Sequence, residues 1–314
     1  FSPQQRCGRA FATYTHDERE VSHLAKSQWK VAAVFLLPYL LVFLVFRFGP
    51  TIAGLFIGVL DWNIVGEASF AGLDNFRKLF VDPYFTVSLK NTLLFLLFTL
   101  PPLVVFSLLI AVLLNQRLRL RNAVRTVSII PYVLIPAVVG IIWNWLYENN
   151  FGIINYYLKA IGLGPVEWLT SEKWALISIA IVTVWSYLGY NMILYLAGLQ
   201  DIPGDLYEAA RIDGAGHLRF LTSVVLPMSK PVVMTATLLT FVNSWNEFLW
   251  PLLVTTTPRW RPLGVGLYTF ISEAGPETHL LMAGAVITIL PVLLVYFLTQ
   301  KQFTEGIATS GLKG

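Results

Sequence analysis

Charge is scarce in this 314-residue sequence: Asp, Glu, Lys and Arg make up 13% of it, against about 25% in an ordinary soluble domain. That scarcity excludes a disordered chain, a nucleic-acid-binding tail and most soluble enzymes. Cysteine is nearly absent. Cys7 stands alone, so neither an internal disulfide nor a cysteine-based metal site can form. His16, His23, His217 and His279 are scattered, with no pair at metal-ligand spacing. No serine occupies a nucleophile elbow. No phosphate-binding loop is present either, because Leu312 separates Gly311 from Lys313 where the lysine should directly follow the glycine. Residues 1–29 are polar and lack the apolar core of a signal peptide. The sequence opens on Phe1 rather than Met, so further residues are expected before it.

What is abundant is apolar: 56% of the chain, at a mean hydropathy of +0.65. The apolar residues lie in runs that reach the roughly 20 residues of a bilayer-crossing helix. They are continuous rather than alternating, which excludes a β-barrel. The expected fold is therefore an all-α integral membrane protein. Six spans are expected, near 31–60, 91–114, 126–147, 174–199, 231–254 and 280–299. A tail of residues 1–30 precedes them, a loop of residues 200–230 joins the fourth to the fifth, and a tail of residues 300–314 follows. Only the first span, with Arg47, and the fifth, with Glu247, contain a charged residue.

Orientation follows from Lys and Arg, which concentrate on the cytoplasmic side. With the N-terminus inside, the inner segments hold 14 of these residues and the outer ones 6. Arg117, Arg119, Arg121 and Arg125 in one short loop weigh most. Both termini are then cytoplasmic, and Trp62, Trp174, Trp250 and Trp260 fall near outer interfaces, where indole rings settle.

The most informative loop lies between spans four and five. Asp205 can cap a short helix, with Glu208 in capping-box position. Ala209 and Ala210 present little bulk, and Gly214 and Gly216 permit a sharp turn. A second amphipathic turn, from His217 to Val225, is expected to end before Pro227. Two readings stand. One is a solvated helical hairpin on the membrane surface. The other is a docking element, with Glu208, Arg211 and Asp213 at its rim and Phe220 and Leu221 as apolar anchors.

Glu208-Ala209-Ala210, then Asp213-Gly214-Ala215, then Leu226-Pro227 resembles the EAA loop of binding-protein-dependent ABC importer permeases, in the form of their carbohydrate-uptake branch. Gly72-Leu73-Asp74-Asn75-Phe76 is similar to one permease type of that branch. Ser244 to Leu252 and the Lys313-Gly314 ending are similar to the other, so the chain mixes two types. The resemblance implies a type I ABC importer permease fold with a coupling helix between spans four and five, in the inner membrane of a prokaryote. It implies two cytoplasmic ABC ATPase subunits that bind ATP and Mg, a second permease subunit read as a different chain, and an extracytoplasmic solute-binding protein. The permease itself is non-catalytic and carries no cofactor or metal. Coupling would fall to Glu208, Ala209, Ala210, Arg211, Asp213, Gly214, Ala215, Phe220, Leu226 and Pro227. The cargo implied is a sugar or sugar derivative. Glycerol phosphate or a polyol carried by the same machinery is one alternative, and a secondary transporter or channel without ATPases is another.

Ionisable residues inside a span usually face the bundle interior or an aqueous cavity, so Glu247 marks a substrate path. Asn243, Ser244, Trp245 and Asn246 precede it. The fourth span adds Trp185, Ser186, Tyr187, Tyr190 and Asn191. The path is assigned to Asn243, Trp245, Asn246, Glu247, Tyr187 and Asn191, because aromatic faces with amides suit a neutral polyhydroxylated ligand. The competing reading is that these polar side chains join helices. Spans four to six contain no Lys or Arg, which argues against an anionic cargo, whereas Arg47 keeps a phosphorylated one open.

Overall fold

The computed structural model of the chain describes residues 31–64, 66–116, 118–202, 205–206, 216, 219, 221–255, 257–272 and 277–311. It falls into two compact units that meet in sequence at Phe56 and Ile57. The described residues of the first form one helix, α1, Val31–Ile57, whose last residue already belongs to the second unit. Its middle widens into a π turn over Leu44–Phe48. Pro50 has no N–H for the Phe46 carbonyl, and a π turn is one way a helix absorbs such a mismatch.

The second unit opens with an antiparallel hairpin, β1 (Leu60–Asp61) and β2 (Ser69–Phe70). Gly72, at φ +58°, turns the chain into α2, Asp74–Val81. Asn75 is fully buried and donates to the carbonyls of Gly58 and Leu60 at 3.0 and 2.8 Å. The Gly72–Phe76 stretch thus does architectural work: it fastens the hairpin to α2. Next comes α3, Pro83–Leu114. Asp82 caps it by accepting from the Phe85 amide at 2.7 Å, with Pro83 in the first turn, where its missing N–H costs nothing.

Among the described residues, the α-helices that follow are α4 (Arg121–Val133), α5 (Pro136–Leu146), α6 (Ile153–Ala160), α7 (Ala175–Gln200), α8 (Lys230–Trp245), α9 (Leu249–Val254), α10 (Leu263–Ser272) and α11 (Thr278–Gly311). A π turn, Leu221–Val225, and a helical turn, Leu226–Met228, precede α8. That second turn therefore continues through Pro227 instead of ending before it. Among the described residues, α1, α3, α7 and the Thr278–Gln300 part of α11 are long and apolar enough to cross a membrane, and α4 with α5 forms a bent pair that can make a fifth crossing.

Two of the expected spans are not continuous helices. The third bends by 97° between α4 and α5. Pro136 is the cause: proline drives the residue before it out of the helical region, and Leu134 and Ile135 are extended at ψ 145° and 127°. The fifth stops at Trp245 and resumes at Leu249. Pro251 cannot donate to the Glu247 carbonyl four residues back and would crowd it. Asn246 closes the preceding helix, its side-chain amide donating to the Val242 carbonyl at 2.8 Å. At the far end, α11 carries helix through most of the stretch expected as a tail.

Packing centres on α3 against α7, with α4 along α7 and α8 and α10 along α3 and α11. In a bilayer such contacts depend on close fit rather than on expulsion of water, which favours small residues. Gly189 of α7 lies against the Ser128 backbone of α4 so closely that a Cβ there would collide with it. Thr92 Oγ1 on α3 accepts from the Leu263 amide at 2.6 Å, and the Asn91 side chain donates to the Arg259 carbonyl at 2.8 Å. These two neighbours on α3 thereby fix the return of the chain into α10.

Candidate functional site

The two helix interruptions converge. Pro131, Tyr132 and Leu134 at the end of α4, Pro136 and Val139 of α5, and Glu247 and Trp250 at the start of α9 line one recess of about 80 Å³. Val182, Thr183, Ser186 and Tyr187 of α7 form its other wall. Broken helices leave backbone groups without intrahelical partners, and at membrane depth such groups persist where they are buried in protein or line a cavity.

Aromatic geometry shapes one side. The Tyr132 ring stacks on Tyr190, with centroids 4.6 Å apart and an interplanar angle of 16°. It meets Tyr187 edge-on at 5.7 Å and 66°. The opposite side rests on Trp250, which is buried, donates to the Ile179 carbonyl at 3.4 Å, and packs against Gly140. Trp250, expected near an outer interface, has its indole buried in the core beside the recess. Thr183 donates to the Ile179 carbonyl at 3.0 Å, and a hydroxyl so engaged still has acceptor capacity. The Glu247 carboxyl lines the recess from the break just before α9.

Tyrosine and serine hydroxyls, one carboxylate and aromatic faces make up the chemistry, and no lysine or arginine is among the described lining residues. Such a surface can donate to and accept from sugar hydroxyls while its aromatic faces cover apolar C–H groups. With a carboxyl in its lining and no lysine or arginine beside it, the recess offers an anion no counter-charge.

Of the path residues expected from sequence, Tyr187 and Glu247 come together here. Asn191 is buried elsewhere on α7 and accepts from Thr240 of α8 at 2.8 Å. Trp245 is buried against α11 and donates to the Thr288 carbonyl at 2.9 Å. Asn243 and Asn246 are exposed. Because α8 ends at Trp245, Asn243 lies within that helix whereas Asn246 and Glu247 lie in the break after it. Tyr132 and Thr183 were not among the expected residues. Their signal was the pair Pro131 and Pro136, which marks a break where a lining is formed. Of the residues expected to carry coupling, Leu226 and Pro227 lie in the helical turn before α8. Glu208, Ala209, Ala210, Arg211, Asp213, Gly214, Ala215 and Phe220 lie outside the described residues.

Residues 88–308 match the family model described as "Binding-protein-dependent transport system inner membrane component". A probable ABC transporter permease protein of Pyrococcus horikoshii is 31% identical over 268 residues, 82% of this chain and 89% of the relative. The trehalose/maltose transport system permease protein MalF of Thermococcus litoralis is 32% identical over 233 residues, 74% of this chain and 79% of the relative. A chain of the bacterial alginate ABC transporter, solved in complex with an alginate pentasaccharide-bound periplasmic protein, shares the fold at a TM-score of 0.76 and 24% identity, covering 87% of this chain and 93% of that one.

Proposed function

We propose that this chain, which belongs to the family of binding-protein-dependent transport system inner membrane components, is the permease subunit of an ATP-driven importer for a neutral carbohydrate. The observation that carries the reading is the recess between the two helix interruptions, where Tyr132, Tyr187, Ser186 and Glu247 meet. The likeness to a trehalose/maltose permease supports a sugar as cargo, and the recess chemistry favours a neutral one over a phosphorylated or acidic one.

In this reading the chain crosses the membrane six times with both termini in the cytoplasm. The interrupted third and fifth segments act as two of the crossings and hold the recess at membrane depth. A second permease subunit, a different chain, completes the pore, and Asn243 and Asn246, exposed in this chain, face the passage it encloses. An extracytoplasmic binding protein delivers the sugar. Two cytoplasmic ATPase subunits supply the energy through the loop of residues 200–230, where Glu208 and Arg211 make charged contacts and the small Ala209 and Ala210 allow close approach. Rigid helical pieces joined at the Leu134–Ile135 and Asn246–Phe248 breaks can swing without losing their internal hydrogen bonds, so the recess can open to one side and then the other.

The test is reconstitution of the complex with its ATPases and binding protein. Sugar-loaded binding protein is expected to stimulate ATP hydrolysis, and Gly214→Pro is expected to abolish that stimulation without loss of membrane insertion, because proline removes a donor and fixes φ near −65° at the turn. Stable purification without any ATPase, or full stimulation in Gly214→Pro, would overturn the reading.

A further inference from the structure

We propose that Arg125 holds the phosphate of an anionic membrane phospholipid at the start of α4. Its side chain is half-buried; Nε and Nη2 are covered, and neither has a hydrogen-bond partner among the described residues. Arginine stays charged at any physiological pH. Two guanidinium nitrogens held from water without a counter-charge are costly, so an anion that meets this half-buried group is favoured. Nothing in the sugar recess needs this residue, which lies on α4 about two turns before Tyr132.

The setting identifies the anion. Arg121 lies one turn earlier on the same helix face and is exposed, as is Arg119 just before the helix. Leu120, Val124 and Val127 are exposed beside them, at 71%, 41% and 65%. Positive charge above an exposed apolar helix surface at a membrane edge is the environment of a lipid headgroup over its acyl chains. A phosphate accepts from the planar guanidinium through two oxygens at once, and the arginines nearby add attraction for a net negative lipid. A free phosphate would use the guanidinium equally well but would leave the three apolar side chains without a partner.

The experiment uses the whole transport complex in detergent, stripped of loosely held lipid and then equilibrated with vesicles of equal parts phosphatidylglycerol and phosphatidylcholine. Phospholipid retained after washing is quantified by mass spectrometry. The wild type is expected to retain phosphatidylglycerol in preference to phosphatidylcholine. Arg125→Gln is expected to retain at least about tenfold less at the same lipid concentration, equivalent to about 1.4 kcal/mol. Arg125→Lys, which keeps the charge and most of the stem, provides a folded comparison and is expected to fall between the two, because an ammonium lacks the two-pronged geometry. Release of phosphatidylglycerol by excess inorganic phosphate at constant ionic strength would reassign the site to free phosphate and overturn the lipid. Equal lipid retention by all three proteins would overturn it as well. So would an Arg125→Gln complex that sheds another subunit with its lipid unchanged, since the guanidinium would then face an acidic group of that subunit. None of these outcomes bears on sugar transport, so the two proposals fail separately.

Discussion

The hydroxyl of Thr240 donates to the Asn191 side-chain oxygen at 2.8 Å, joining α8 to α7 through a buried pair. The Asn191 amide donates back along its own helix to the Tyr187 carbonyl at 3.2 Å. One turn of α7 thus separates a residue that binds helices together from a residue that lines the recess. Sequence alone presents both as polar residues in an apolar span.

That separation predicts different phenotypes. Asn191→Ala should lower the thermal stability of the detergent-solubilised complex by about 0.6 kcal/mol, a typical value for an interhelical hydrogen bond in a membrane protein. The sugar concentration giving half-maximal uptake should stay at the wild-type value. A shift in that concentration with unchanged stability would place Asn191 on the path.

How much was legible beforehand divides along physical lines. Long apolar helices such as α3 and α7 were evident because hydrophobicity over about 20 residues is enough to place them. The interruptions at Leu134–Ile135 and Asn246–Phe248 were not, because an average over a window is blind to one proline. Pro136 and Pro251 were the available signals, read four residues back to the carbonyl each leaves without a donor. Glu247 was found by its cost in an apolar environment. Tyr132 was missed because a tyrosine in a span has no such cost, and its role comes from stacking on Tyr190 across two helices. Trp245 illustrates the opposite error: an indole beside a polar cluster looks like ligand-binding surface, yet its N–H is satisfied by Thr288.

On the loop after α5, Glu148 accepts from the backbone amides of Phe151 and Asn150 at 2.7 and 2.6 Å. These bonds, that of Phe151 foremost, hold its carboxyl below the usual carboxylate range. The folded pKa is depressed, so the stabilisation is present above the unfolded value and is lost as pH falls through the folded one. Hydrogen exchange at the Phe151 amide should therefore stay protected at neutral pH, after correction for intrinsic rates, and lose protection below the ordinary carboxylate range. Glu148→Gln should remove that pH dependence. Protection unchanged through strong acidification would contradict the role of the carboxylate.

Orientation is tested by labelling after Cys7 is replaced. A cysteine at Asn122, next to the basic loop, should be shielded in intact cells from an impermeant thiol reagent. One at Glu277, exposed just before α11, should react. The reverse pattern would put residues 200–230 outside and remove their access to a cytoplasmic ATPase.

The most direct test of a sugar path through the two helix breaks is ATP-dependent uptake of a labelled oligosaccharide into vesicles carrying the complete complex, compared for wild type and Glu247→Gln. Replacing a hydrogen-bonding carboxyl in a desolvated site leaves its sugar partner unsatisfied at a cost of about 1–3 kcal/mol, so Glu247→Gln should raise the half-saturating concentration about tenfold. Subunit assembly and basal ATP hydrolysis should remain as in the wild type. Wild-type uptake by a fully assembled Glu247→Gln complex would contradict a path through this recess.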